Sequence, residues 1–362
     1  MIRTTTPSGD PAWVADGHAE VRDLLQDERL GRSHPQPETA ARLGESALFG
    51  GPSGNFDTEL ADHSRMRALL QPHFSPKHMR ALRPRVQALT TELLDNLTPP
   101  TDLVAGLAVP LPILVICELL GVPYADRDQF RAWSEDAGNT VDRQRSEQGM
   151  GALFGYGHEL VARKRAEPTD DVISRLATTD GVSDDEVAML SMALLFAGHE
   201  TTVAQIGTAA LQLLSDPEQW AKLCDDPSLV PNAIEESLRT PIRANPEISG
   251  LIRYTRADMR VDNADVPAGD LVVLDVAKAN VDPAVFPHAD RFDVTRETNP
   301  HLSFGHGIRY CLGAPLARVE LQEVFTQLVT RFSGMRLAVS PEEVIQKSGQ
   351  LTAGLVTLPV TW

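Results

Sequence analysis

Cysteine is scarce in this 362-residue chain: Cys117, Cys224 and Cys311 are odd in number and far apart. That excludes the disulfide framework of a small secreted domain and leaves at least one thiol free for chemistry. Positive charge is also short, with 33 Lys and Arg against 50 Asp and Glu and a net charge of −17. A general nucleic-acid surface is therefore excluded. Long apolar runs are missing too; residues 187–198, among the longest, fall short of the roughly 20 needed to span a bilayer. The first thirty residues carry Pro7, Asp10, Pro11, Asp16 and Glu20 and no apolar stretch of signal-peptide type. These absences predict a soluble, cytoplasmic protein with no membrane or nucleic-acid partner. The rest is ordinary globular composition, 42% hydrophobic and 23% charged, in a chain long enough for two average domains or one large unit.

Helical patterns dominate the first two thirds. They predict helices over residues 80–97, over 111–120, where Gly121 and Pro123 stop the run, and over 151–167. Residues 33–60, rich in Gly, Pro and Ser, read as a long loop, a feature that compact domains keep mainly where it has a function. The strongest signal covers residues 183–215, opened by Ser183 and Glu186 in capping-box spacing and ended by Asp216 and Pro217. Its middle is apolar nearly all round, which predicts burial through the body of the protein. Strands are expected over 250–254 and 271–276, and Pro315 opens a last long helix through Phe332. The fold class is mainly α with small β-sheets.

One thiol sits between glycines just before that last helix, in the run Phe304, Gly305, His306, Gly307, Ile308, Arg309, Tyr310, Cys311, Leu312, Gly313. A thiolate there gains from nearby backbone N–H groups and the helix dipole. Gly307 and Gly313 let the backbone close around a flat ligand, whose face Phe304 could cover. Alone, a single cysteine is more often inert packing, but glycines, an aromatic and an arginine lie within seven residues of it. The dinucleotide fingerprint fails, since Tyr310 stands where its third glycine belongs. The segment resembles the haem-binding signature F-x-x-G-x-R-x-C-x-G of the cytochrome P450 family at all five fixed positions, with Gly305 inside it. The resemblance implies haem b with Cys311 as the axial thiolate on its iron. It also implies one domain over residues 1–362, a triangular prism with the haem between the long central helix and the Cys311 loop.

Within that helix, Ala197, Gly198, His199, Glu200, Thr201 and Thr202 break an apolar run with an acid and hydroxyls. Burying them costs free energy unless they are paired or hydrated, and a Thr hydroxyl bonded back to its own helix is an equally open reading. Val203 occupies the second His position of a zinc-protease motif and excludes it. The segment is similar to the family's A-G-x-[DE]-T-[TS] pattern, which implies that Glu200 and Thr201 manage protons at bound dioxygen while Ala197 and Gly198 leave it room. Glu236 and Arg239 share a helix face and alone suggest a solvated ion pair. Their order along the chain resembles the family's structural E-x-x-R pair. The resemblance assigns haem propionates to His63, Arg67, Arg253, His301 and Arg309.

Relatives usually have a few dozen more residues before the segment at Trp13, so an N-terminal helix and strand of the substrate channel are expected to be missing. The reaction implied is insertion of one oxygen atom from O2 into a C–H or C=C bond. Electrons are expected from ferredoxin and ferredoxin reductase docking near Lys77, Arg80, Arg83, Arg85 and Arg318, on a monomer. Leu194, Ala197, Asn245, Ile248 and Leu351 are candidate substrate contacts, and a polyketide or peptide intermediate is the expected substrate. A non-catalytic haem sensor that recruits a partner, and oxidative C–C or C–O coupling at the same haem, remain open.

Overall fold

The computed structural model describes residues 1–240, 249–352 and 354–362. Its axis is the central helix Asp184–Ser215, whose first turn is fixed by the Ser183 hydroxyl accepting from Glu186 N. By length and composition it could cross a bilayer, but half of its most apolar stretch is buried inside the fold. The helix runs between two apolar cores: Val187, Leu190 and Leu195 enter one, and Ile206, Ala209 and Leu213 the other. At about 1.5–3 kcal/mol for each fully buried Leu, Ile or Val, this packing outweighs the helix's own propensity many times over.

Other helices follow the expected signals with shifted ends. Helix Pro76–Asp95 starts four residues before the expected position, because the Ser75 side chain accepts from His78 N and Pro76 occupies the first turn. Helix Pro110–Leu120 ends at Gly121, whose φ of 80° suits the left-handed cap. Helix Arg143–Ala166 begins well before residue 151, with Gly149 inside it. That glycine is required by close approach: a Cβ there would collide with Ala137 N and lie 2.7 Å from Trp133 O on helix Arg127–Ala137. Helix Ala314–Arg331 closes the fold.

A five-stranded sheet takes its strands in the spatial order Ile2–Thr5, Pro11–Ala15, Leu271–Leu274, Leu251–Thr255, Leu30–Gly31. At the N-terminal edge Arg3 pairs with Trp13, and Trp13 in turn with Val272. Arg253 lies opposite Val272 in the antiparallel pair beside it. Residues 33–58 form the expected loop, ended by helix Glu59–Leu70 and tied down by Ser53 N to Arg32 O and Ala47 N to Ser146 Oγ.

Glu236 and Arg239, at the end of helix Val230–Arg239, are fully buried instead of solvated. Arg239 donates to both Glu236 oxygens at 2.7 and 2.8 Å and to the carbonyls of Asn280, Ala289 and Arg291. Glu236 also accepts from Asp293 N, Arg296 and Asn299. Together they pin the irregular segment that leads into the Cys311 loop. Arg239→Met should leave the Glu236 charge buried with too few donors and cost about 3–5 kcal/mol, seen as an earlier urea midpoint. Faster amide exchange over residues 289–299 should accompany it, and an unchanged midpoint would show that the network carries no stability.

Candidate active site

The Cys311 loop is built by two residues in left-handed backbone, Gly305 at φ 74° and Gly307 at φ 68°. They turn the chain so that Cys311 N donates to Phe304 O at 2.8 Å, and Gly305 N to Leu302 O. Burial pushes the Cys311 thiol up, opposed by the N–H groups of Gly313 and Ala314 at the start of the last helix and by Arg67 and Arg318. Its side nonetheless remains accessible. Phe304 is flanked by Arg318, 4.5 Å from its ring, and by His301 and Tyr310.

On the central helix Ala193, Ala197 and Thr201, four residues apart, form an accessible stripe that Met189 continues toward the helix start. Leu194 and Leu312 each pack against both cores, which sets this stripe and the Cys311 loop on one interior space. The Thr201 hydroxyl donates to Ala197 O at 2.8 Å, leaving its lone pairs free to accept. Burial raises the pKa of Glu200, opposed by the charge of Lys347. The neighbouring His199, a residue to which sequence reading gave no role, is 1% exposed and held neutral, its pKa lowered to about 3 by burial. Its Nδ1 lies 3.4 Å from Glu200 Oε1, and its ring meets Phe130 edge-on.

Near the loop the structure gathers cations. Arg253 is 6% exposed and among the described residues donates only to the carbonyl of Ile252, and burial, then Arg32 and Arg309, lower its pKa to about 9. Arg32, which sequence reading missed, donates to Leu48 O while its Nε is buried without a partner. Arg67 reaches Tyr310 O at 2.7 Å, and burial followed by Arg309 and Arg67 lowers the pKa of His63. One carboxylate, Glu59, answers them, bonded by Arg309, Arg256, Ser33 and the N–H groups of Arg32 and Ser33. A cluster with this excess of buried positive charge suits a ligand bearing carboxylates. Among the described residues no group of three or more His, Cys, Asp or Glu could hold a metal ion. A metal arriving within its own macrocycle, with propionates for the arginines and one sulfur ligand, fits these residues.

Some expected residues stand elsewhere. Both nitrogens of His301 are engaged, Nε2 with Glu235 and Nδ1 with Ser303 N, so it braces the loop and does not join the cations. Arg83 pairs with Glu323, Arg85 with Glu118 and Arg318 with Glu235, which removes most of the expected basic surface and leaves Lys77 and Arg80 exposed. Leu351 is half-buried, its N–H bonded to Gly138 O. Asn245 and Ile248 lie outside the described residues. Phe49, from the long loop, stacks at 6.4 Å on Phe196, a contact signalled beforehand only by the loop's length.

Burial pushes the Glu59 carboxyl up, but its hydrogen bonds outweigh this and hold it below its ordinary value. It therefore binds fewer protons folded than unfolded, and its stabilisation is complete above the unfolded value and lost as pH falls through the folded one. Glu59→Gln should lower stability at neutral pH and flatten the acid limb of the pH–stability curve. A parallel curve would show that Glu59 is not the group responsible.

The Cytochrome P450 family profile matches residues 158–360. The chain is 40% identical to pentalenolactone synthase of Streptomyces exfoliatus, across 100% of this chain and 93% of that protein. It is also 40% identical to nocardicin C N-oxygenase of Nocardia uniformis subsp. tsuyamanensis, across 100% and 92%. Its fold matches the crystal structure of the mycinamicin VIII methyl hydroxylase MycCI from Micromonospora griseorubida with TM-score 0.90 at 32% identity, covering 100% of this chain and 93% of that one. With the thiol loop, the cationic cluster and the acid–alcohol helix in place, the chain belongs to the cytochrome P450 family and is a haem b monooxygenase.

Proposed function

We propose that this single-domain, monomeric, cytoplasmic enzyme inserts one oxygen atom from O2 into a C–H or C=C bond of a polyketide or peptide intermediate, with electrons from ferredoxin and its reductase. The observation that carries the reading is the accessible stripe of small side chains, Ala193, Ala197 and Thr201, beside Glu200 on the central helix. Haem, when bound, supplies the activation of dioxygen. Cys311 would hold its iron through Sγ, and Arg32, His63, Arg67, Arg253 and Arg309 would hold its propionates. Thr201, its proton committed to Ala197 O, can accept from a water and orient it. Glu200, its carboxyl pushed up by burial, is placed to hold and hand on a proton. Leu194, Ala197 and Leu351, with Phe49 and Phe196, would present an apolar wall to the substrate, and the names of the relatives support a natural product.

Thr201→Ala should retain substrate binding, followed by haem absorption across a natural-product panel, yet send most electrons to hydrogen peroxide. Positioned proton transfer contributes about 10²- to 10⁴-fold, so product yield should fall steeply. Full coupling in that variant would show Thr201 to be a helix residue only. Product analysis with the same panel separates hydroxylation, epoxidation and coupling.

Lys77 and Arg80 are the exposed cations of the expected docking surface. Charge reversal at both should slow reduction by ferredoxin and weaken its salt dependence. Unchanged rates at low salt would place the docking surface elsewhere.

A further inference from the structure

Helix Val230–Arg239 carries two acids in succession, and they serve different partners. Glu236 turns into the buried Arg239 network, whereas Glu235 reaches the last helix and the approach to the thiol loop. Arg318, in the second turn of helix Ala314–Arg331, donates Nε to Glu235 Oε1 at 2.7 Å and Nη2 to Oε2 at 2.8 Å. The planar fork leaves Nη1 clear of that carboxylate, and it donates to the Tyr310 hydroxyl at 3.0 Å. The same guanidinium lies 4.5 Å from the centre of the Phe304 ring. His301 completes the group, with Nε2 at 3.0 Å from Glu235 Oε2 and its ring 5.9 Å from that of Phe304.

Both residues that Arg318 holds belong to the frame of Cys311. Tyr310 precedes it in the chain, and Cys311 N donates to Phe304 O at 2.8 Å. We infer that Arg318 is a positioning residue for the sulfur ligand: it clamps Phe304 and Tyr310 about Cys311, and the positive charge it holds there restrains electron donation from the sulfur and favours the reduced cofactor. The inference rests on the proposed role of Cys311 as the haem ligand. One-electron reduction adds a negative charge to the site, so a fixed cation beside it stabilises the product more than the reactant. Glu235 takes one edge of the guanidinium, and Nη1 and the planar face are turned to the thiol loop, so the pair presents its positive end there. Phe304 carries no dipole that could reorient, and the charge acts across it with less screening than across water. A brace alone needs no cation at this place, because His301 already ties Glu235 to the segment before the loop. Arg67 is the other cation at Tyr310, but it meets the backbone carbonyl and is assigned to the propionates.

The test equilibrates substrate-free holoenzyme with a redox dye of known potential, and the red-shifted Soret band of the reduced carbon monoxide complex reports sulfur ligation. Arg318→Met should shift the equilibrium about tenfold toward the oxidised form. Arg318→Lys, which keeps the charge, should restore most of it. Glu235→Gln, which keeps an acceptor for Arg318 but removes the opposing charge, should shift it toward the reduced form. An unchanged equilibrium in Arg318→Met with the sulfur band intact overturns the inference and leaves the role of Cys311 standing. A shift in Arg318→Met that Arg318→Lys leaves uncorrected would reveal packing without a charge effect, and overturns it as well. Retention of the sulfur band in Cys311→Ala would overturn both. Glu235→Gln keeps the test decisive where Arg318→Met does not fold, since an unmoved equilibrium in that variant also overturns the inference.

Discussion

A guanidinium buried in a protein needs acceptors and a counter-charge, and two arginines in this fold meet that requirement in opposite ways. Arg239 finds Glu236 and three backbone carbonyls inside the chain, and the closed network holds the segment that leads to the Cys311 loop. Arg253 finds one carbonyl and, with Arg32 and Arg309 nearby, a local excess of positive charge. The first arrangement is complete as it stands and is structural. The second leaves a place that an anion from outside would complete, as the carboxylates of the haem cofactor would. Glu59 tempers the excess without cancelling it, and so holds Arg309 in position between the long loop and the thiol loop.

The same low-polarity interior sets the chemistry of the central helix. It raises the pKa of Glu200 and lowers that of His199, so adjacent residues are driven to opposite proton affinities by one cause. Small side chains at Ala193 and Ala197 open a face in that helix, while Gly198 lets it approach Ile116 closely on another, since a Cβ there would lie 2.9 Å from Ile116 Cδ1. Packing and reactivity thus share one helix, divided by face.

Local patterns carried much of this in the sequence. The capped apolar run at residues 183–215, Pro315 ahead of the last helix, and the glycines around Cys311 each act within a turn or two of the chain, where side chain and backbone alone decide the outcome. Where a glycine serves a distant neighbour the local pattern is silent: the helix expected over 151–167 runs over Arg143–Ala166, and Gly149 within it is what lets it pass against helix Arg127–Ala137. The contacts of His301 with Glu235 and Ser303 were not legible either, because they are decided by how the loop folds back.

By itself, then, the sequence determined the helical architecture, the thiol loop and the acid–alcohol pair, since each is written in contiguous residues whose spacing is their geometry. Tertiary structure alone decided that Glu236 and Arg239 are buried, that Arg32 joins Arg253 beside Glu59, and that three of the basic surface residues are already paired. Those outcomes depend on burial and on charges brought together across long sequence separations. Their energies follow distance and solvent exclusion, which no local pattern encodes.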